Sequence, residues 1–149
     1  MAKFNLNMPD DLLKGAAAAV SPENMQRAID SATPILERSM QKEVQGAVRH
    51  SGGSDLVKSI RANKAKKAKN GAYIATVYPH GKSKAPRYPN GSRKDRIPPV
   101  SNAMKAAILN YGKRGQPARP WLTKAVNNVR TQVEEQLEKA FEEKLDDNG

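Results

Sequence analysis

The strongest constraint on this chain is a run of apolar residues that recur every three or four positions from residue 25 to residue 48. This spacing places them on one face of a helix roughly seven turns long. Ser21 and Pro22 are typical of a helix start, because serine caps free N–H groups and proline has no N–H to lose. Pro34 removes one backbone hydrogen bond and predicts a kink over Asp30–Pro34. Other elements, or another subunit, must cover so long a stripe.

A second long helix is predicted from about residue 120 to residue 145. Its apolar positions also share one face: Leu122, Val126, Val129, Val133, Leu137, Ala140, Phe141 and Leu145. Acidic residues at a helix C-terminus oppose the helix dipole, so a frayed tail is expected over 146–149. Shorter helices are predicted at Met8–Val20 and, capped by Ser101, at Asn102–Asn110. The residues of the latter expected to face inward are Ala103, Ala106, Ala107 and either Leu109 or Ile108.

Between the long helices, residues 59–79 predict an antiparallel hairpin. Ala72–Tyr78 is rich in β-branched and aromatic residues, which favour a strand. Asn70-Gly71, just before it, is typical of a tight turn. Residues 55–60 fit either a short helical turn or the entry to a strand. The predicted fold class is therefore α+β, a single domain of 149 residues. In it, a small antiparallel sheet is packed by a long kinked N-terminal helix and a long C-terminal helix.

Charge is distributed unevenly along the chain. The net charge is +11, yet residues 51–119 hold sixteen basic and two acidic residues, whereas residues 120–149 hold seven acidic and four basic ones. A segment this basic indicates an electrostatic partner. Nucleic acid, an acidic protein surface and the acidic helix of a neighbouring copy are the candidates.

The basic residues fall into two groups. The first lies at the tip of the hairpin and comprises Lys64, Lys66, Lys67 and Lys69. The second lies in a proline- and glycine-rich arm predicted over 79–99 and comprises Lys82, Lys84, Arg87, Arg93, Lys94 and Arg96. About twenty residues without a regular element indicate a functional or partly disordered loop. Both groups are candidate contacts for nucleic acid or for an acidic partner.

Catalytic chemistry is poorly represented. The chain has no cysteine, which excludes disulfides and thiolate metal sites. His50 and His80 are far apart in the sequence, and the acidic row formed by Glu134, Glu138 and Glu142 is typical of a solvated helix face. No catalytic, cofactor-binding or metal-binding residue is predicted, and a small nuclease is the fallback among enzymes. Neither a signal peptide nor a membrane-spanning segment is predicted, so the protein is expected to be soluble.

The segment from Tyr111 to Leu122 predicts a stiff elbow. Pro117 and Pro120 each fix one backbone torsion angle and bias the preceding residue toward an extended conformation. Pro120 suits the first position of a helix, and Trp121 in the first turn is a candidate anchor against a neighbouring element. A simple helix start with a core tryptophan is the alternative interpretation.

This segment also resembles a family of tailed-phage neck proteins. Ala106–Lys113 followed by Gln116–Leu122 resembles the motif of the gene-product-ten-like putative tail components, also described as head–tail connector or tail-completion proteins. Asn110 stands where an acid is common in that motif, and Trp121 where phenylalanine is common. Ser51–Ile60 resembles the glycine–leucine–serine–isoleucine step of the same family. The order of long helix, step, hairpin, elbow and final helix matches along most of the chain.

The resemblance implies a structural protein of the virion, assembled in the host cytoplasm. It implies a ring of identical subunits at the neck, between the head connector or adaptor and the tail terminator or tail tube, around the path of the DNA. Motif residues carried over as structural or interface positions are Tyr111, Gly112, Pro117, Arg119, Pro120 and Trp121. Packing explains Arg119 least, so a specific contact is expected there, within the fold or across a subunit boundary. The alternative function is non-specific DNA binding through the basic segment 61–96.

Overall fold

The computed structural model describes residues 21–48, 53–82 and 100–147. The chain forms four helices and four short strands in this part, and the fold is α+β. The elements in chain order are α1 (Pro22–Ala47), α2 (Gly53–Ser59), β1 (Ile60–Ala62), β2 (Lys66–Lys67), β3 (Tyr73–Ile74), β4 (Val77–Pro79), α3 (Asn102–Tyr111) and α4 (Trp121–Asp147). The helix predicted at Met8–Val20 lies outside the described residues. No helix in the described part is long and apolar enough to cross a membrane.

Helix α1 begins as its sequence predicts. The Ser21 hydroxyl accepts a hydrogen bond from the N–H of Asn24 at 3.3 Å, and Pro22 is the first helical residue. The helix continues through Pro34 to Ala47 as one element. The predicted kink at Asp30–Pro34 therefore does not divide it.

Helix α4 lies antiparallel to α1 along most of its length. The Ser39 hydroxyl donates to the carbonyl oxygen of Ala125 at 2.8 Å, and farther along the pair the Gln136 amide donates to the Ser31 hydroxyl at 3.4 Å. Positions on α1 therefore decrease as positions on α4 increase. At about 1.5 Å per residue, the two helices form a pair roughly 40 Å long.

Both ends of α4 differ from the prediction by one or two residues. The helix begins at Trp121, so Pro120 immediately precedes it instead of being its first residue. At the other end it continues through Asp147, where a frayed tail was expected from residue 146. The Lys144 ammonium lies 3.0 Å from the Asp147 carboxylate, and this local ion pair offsets the unfavourable position of the acid in the helix dipole. Residues 148–149 lie outside the described part.

The predicted hairpin is present, but a bulge divides it into two antiparallel ribbons. In the first, Ile60 pairs with Pro79 and Ala62 with Val77; in the second, Lys66 pairs with Ile74. Three residues, 63–65, therefore oppose two, 75–76, between the ribbons. One extra residue on one strand is a β-bulge, which interrupts the strand predicted over 72–78.

The hairpin closes at the predicted turn and is attached to α1 by carboxylates. Gly71 has a positive φ of 85° in the turn after Asn70. Asp30 accepts the N–H of Ala65 at 2.7 Å, and Glu37 accepts the N–H of Ala62 at 2.7 Å. The N–H that the bulge removes from the ladder thus gains an acceptor on α1, so it is not left unsatisfied.

The hydrophobic core lies where the C-terminal half of α1 meets α2, β1, α3 and the start of α4. Its buried members are Met40, Val44, Leu56, Ile60, Ala106, Leu109, Trp121 and Ala125. Val44 and Ile60 are fully buried. Toward the other end of the helix pair, α1 buries the small residues Ala28 and Ala32.

Helix α3 buries a narrower stripe than its sequence predicts. Ser101 caps it as expected, accepting the N–H of Met104 at 3.2 Å. Ala106 and Leu109 are buried, but Ala103 and Ala107 are exposed, contrary to the prediction. The inward positions beside Ala106 and Leu109 are instead the amides Asn102 and Asn110. An alanine on a ten-residue helix carries too little apolar surface to require burial, so the flanking contacts decide which face turns inward.

Candidate functional site

The motif residues converge on one junction, formed by residues 111–122, between the ends of α1, α3 and α4. Gly112 ends α3 with a φ of 78°, and a Cβ atom added there would lie 2.8 Å from the backbone nitrogen of Ala118 and 2.9 Å from the carbonyl oxygen of Gln116. Two backbone segments therefore approach too closely for any side chain. Glycine is required at this position.

A tight turn brings the chain back onto Gly112. The N–H of Lys113 donates to the carbonyl of Gln116 at 3.0 Å, and the N–H of Gln116 donates to the carbonyl of Lys113 at 2.8 Å. Gly115 provides a second positive φ, of 79°, in this turn. The segment is thus folded back on itself, and its shape is set before the next helix begins.

Arg119 makes its contacts within the fold. A guanidinium nitrogen, Nη1, donates to the carbonyl oxygen of Ala47 at 2.6 Å, and the backbone N–H donates to the carbonyl of Leu109 at 2.9 Å. Ala47 is the last residue of α1, where carbonyl oxygens lack helical partners and a cation is favoured by the dipole. Of the two contacts predicted for Arg119, the structure contains the internal one: it joins the end of α1 to the end of α3.

Trp121 is the anchor that the sequence predicts. Its side chain is 4% exposed, and its indole Nε1–H donates to the carbonyl of Ala106 at 3.1 Å. Next to it, the buried Asn110 accepts the N–H of Leu122 at 3.1 Å and so caps the first turn of α4. An amide oxygen is sufficient for this contact, so Asn110 can stand where an acid is common in the motif, and no ion pair is required.

The junction also has an exposed side. Tyr111 is 75% exposed although it ends α3, and Pro117 and Pro120 are exposed as well. Pro120, Arg119 and Trp121 line one wall of an open cleft of about 440 Å³, whose other wall comes from the last two turns of α1. Of the motif residues, Tyr111 is the one that packing does not explain.

The hairpin lysines lie together on the surface. Lys64, Lys66, Lys67 and Lys69 are all exposed. The Lys67 ammonium lies 6.0 Å from the centre of the Tyr73 ring, at the outer limit of a cation–π contact. The ion pairs between described residues, Lys139–Glu143 and Lys144–Asp147, both belong to α4, so no hairpin lysine takes part in one.

Residues 79–82, the start of the predicted arm, are part of the fold. Pro79 belongs to β4, the N–H of His80 donates to the carbonyl of Ser59 at 2.8 Å, and Lys82 forms a β-bridge with Ser101. These backbone bonds extend the hairpin past its predicted end, so residues 79–82 are ordered parts of the fold. Lys82 is exposed there. The remaining basic residues of the predicted arm, Lys84, Arg87, Arg93, Lys94 and Arg96, lie outside the described residues.

His80 has a structural environment. Its ring stacks on Tyr78 with 3.9 Å between the ring centres, and Nε2 lies 3.3 Å from the carbonyl oxygen of Arg61. It borders an open cleft of about 390 Å³ together with basic residues of α2 and β1. His50 lies outside the described residues, and within them no group of three or more His, Asp or Glu side chains is arranged to hold a metal ion.

Sequence reasoning missed the polar residues that hold the elements together. Asn102 donates from its amide to the carbonyl of His80 at 2.8 Å and is 5% exposed. Asn110, Asp30 and Glu37 have comparable roles, each accepting a backbone N–H of another element. Polar residues on the inward face of a predicted helix were the available signal, because a buried polar group needs a partner.

Comparison of the chain with protein-family models, with curated proteins and with solved structures finds no significant match.

Proposed function

We propose that this protein is a structural component of a tailed-phage neck, a head–tail connector or tail-completion protein that forms a ring around the DNA path. The observation that carries the proposal is the convergence of the motif residues. Arg119 and Trp121 are distant from the Ser51–Ile60 step in sequence, yet Arg119 bonds to the end of α1 and Trp121 belongs to the core cluster that contains Leu56 and Ile60 of that step. The residues of the resemblance therefore specify one architectural junction.

The geometry of the molecule suits such a role. A helix pair roughly 40 Å long, with a small sheet attached along one side of α1, gives a stiff elongated subunit. Helix α4 buries only Trp121 and Ala125, so most of its surface is available to neighbours. A ring of identical subunits needs two different surfaces per subunit that fit each other, and an elongated subunit presents such surfaces on its sides.

The proposal is tested in the phage whose genome carries this gene. Deleting the gene is expected to leave DNA-filled heads and separate tails, and supplying the wild-type protein is expected to restore joined particles. The protein itself should be found in purified particles at several copies each. Joined, infectious particles formed without it would contradict the proposal. A head-connector gene upstream and a tail-tube gene downstream would support it.

Tyr111 allows a sharper version of this test. Because its ring is 75% exposed, Tyr111→Ala should leave the free energy of unfolding nearly unchanged while reducing the yield of joined particles. Met104→Ala is the matched control, since Met104 is also exposed, at 57%, but lies near the other end of α3. Equal particle yields from the two variants would show that Tyr111 does not contact a neighbour.

The exposed hairpin lysines favour one alternative, a non-specific DNA-binding module. Each phosphate contact contributes about 0.9 to the slope of log affinity against log salt concentration. Replacing Lys64, Lys66, Lys67 and Lys69 by alanine should therefore reduce that slope by up to about 3.6 for duplex DNA. Fluorescence anisotropy with a labelled duplex, from low to moderate salt, measures it. An unchanged slope would exclude the hairpin as the DNA contact.

A further inference from the structure

Opposite charges occupy opposite sides of the molecule. Asp30 and Glu37 hold the hairpin, and they lie two helical turns apart on one side of α1. Ser39 and Glu43, which bond to the first half of α4, lie roughly half a turn around the helix from Asp30, at about 100° per residue. Ser31, which bonds to the second half of α4, lies a little more than a quarter of a turn from Asp30. Helix α1 therefore lies between the hairpin and the second half of α4.

The two sides carry strong and unbalanced charge. The hairpin side, residues 60–82, has six basic and no acidic residues. The second half of α4, residues 134–147, has seven acidic and two basic residues. Glu134, Glu138 and Glu142 follow one another at intervals of four and form an exposed row. We call these surfaces the basic hairpin face and the acidic helix face.

The acidic helix face has an apolar border, which points to a protein partner. Val133, Leu137 and Phe141 are only half-buried, and Leu145 is 44% exposed. On the basic hairpin face, Ile74 and Tyr78 are each 43% exposed among the lysines. Apolar side chains beside charged ones on both surfaces are typical of a protein–protein contact, in which the apolar atoms are buried and the charges form the rim.

The dimensions of the two faces also agree. The acidic helix face spans fourteen residues, or about 20 Å. The first side of the hairpin, from Ile60 to Lys67, is extended over a similar length, about 25 Å. A face on one side of the molecule that is complementary to a face on the other side produces a head-to-tail contact when copies associate, because each copy can use both faces at once.

We propose that the basic hairpin face of one copy of this chain binds the acidic helix face of the next copy. This inference rests on the proposed function, which makes a second copy the partner, and it adds the surfaces that meet. Association depends on charge, so it is strongest at low ionic strength and weakens as salt screens the exposed residues.

Charge reversal tests the inference. The hairpin variant Lys64→Glu/Lys66→Glu changes the net charge of residues 60–82 from +6 to +2, and the helix variant Glu138→Lys/Glu142→Lys changes that of residues 134–147 from −5 to −1. Sedimentation velocity of each full-length variant alone should show a dissociation constant raised roughly tenfold or more over the wild type. An equal mixture of the two variants should associate again, because the unchanged hairpin face of the helix variant can bind the unchanged helix face of the hairpin variant. Only a head-to-tail contact between these two faces predicts recovery in the mixture.

Arg38→Glu/Lys42→Glu is the matched control. It changes the net charge by the same amount as the hairpin variant, but its exposed residues lie on α1, outside both charged faces and outside the junction. Its self-association should equal that of the wild type. Circular dichroism spectra of all variants should match, because every replaced side chain is exposed.

Three outcomes would overturn the inference: a wild-type chain that stays monomeric at low salt, variants that associate like the wild type, or a mixture that fails to recover. None of these bears on the proposed function, which is judged from the presence of the protein in purified particles. Conversely, association that follows the charges in a protein absent from particles would contradict the function alone.

Discussion

Replacing Gly112 with alanine tests whether the junction depends on the close approach of two backbone segments. The backbone there has φ 78° and ψ 176°, a region that is open essentially only to glycine and costs another residue about 1–3 kcal/mol. In addition, the new Cβ would lie 2.8 Å from the nitrogen of Ala118, so the returning strand of the turn must move. Displacing well-packed backbone adds about 1–3 kcal/mol. We expect the free energy of unfolding to fall by about 2–6 kcal/mol.

Gly115→Ala is the matched control for this prediction. Gly115 has nearly the same φ, 79°, but a Cβ atom added there meets nothing within 4 Å. The control therefore tests the cost of a positive φ without the collision. Its expected loss in the free energy of unfolding is about 1–2 kcal/mol. Comparing the two variants separates the approach of the backbone segments from the preference of the torsion angle.

Urea unfolding followed by circular dichroism measures both losses, provided that the slope of each transition matches that of the wild type. For a chain of 149 residues, 1 kcal/mol corresponds to roughly 2–4 °C in Tm, so a thermal scan gives an independent measurement. Equal losses for the two variants would refute the reasoning, since the collision at Gly112 would then cost nothing. A loss below about 1 kcal/mol for Gly112→Ala would likewise show that the junction relaxes freely around the new side chain.

Three further predictions concern the polar contacts. Trp121→Phe should lower the free energy of unfolding by about 1–2 kcal/mol, measured by urea unfolding, because it removes the indole hydrogen bond to the carbonyl of Ala106 and puts a smaller ring in the core. Arg119→Ala should cost about 1–2 kcal/mol in the same assay, and Arg119→Lys less, because lysine keeps a cation at the C-terminus of α1. Asp30→Ala should increase amide hydrogen exchange at Ala65 at least tenfold while the Glu37-bonded part of the hairpin stays protected; unchanged exchange would show that the carboxylate does not hold the bulge.

Periodicity predicted the helices well, since it reports a property that many residues share. The stripe from residue 25 to residue 48, together with the helix start at Ser21 and Pro22, predicted α1 to within one residue of its observed bounds, and Ser21 and Ser101 both act as the caps expected of them. Trp121 was predicted as an anchor from its size and its place after a proline, and it is buried. Signals of this kind are local, so the sequence alone is sufficient to interpret them.

Contacts between distant elements could not be predicted in the same way. The bulge in the hairpin depends on the carboxylate of Asp30, which lies 35 residues away in sequence from the N–H it accepts. The prediction of the inward face of α3 was partly wrong, because Asn102 and Asn110 bond to partners in other elements. No pattern within ten residues encodes those partners. The role of Arg119 was left open for the same reason, because its acceptor, the carbonyl of Ala47, is a backbone atom.

The internal contacts of Arg119 also determine where a subunit interface should be sought. Arg119 joins two helices of one chain, because its guanidinium bonds to the end of α1 at 2.6 Å and its backbone N–H bonds to α3. A motif whose glycine, arginine and tryptophan all face inward can be shared by proteins with quite different neighbours, because it specifies the shape of the subunit. For the proposed ring, we therefore expect recognition of a neighbour to depend on residues outside the motif core, such as Tyr111 and the two charged faces. Arg119→Ala should therefore lower stability without weakening self-association beyond what unfolding explains, whereas reversing the charge of Glu138 and Glu142 should do the opposite.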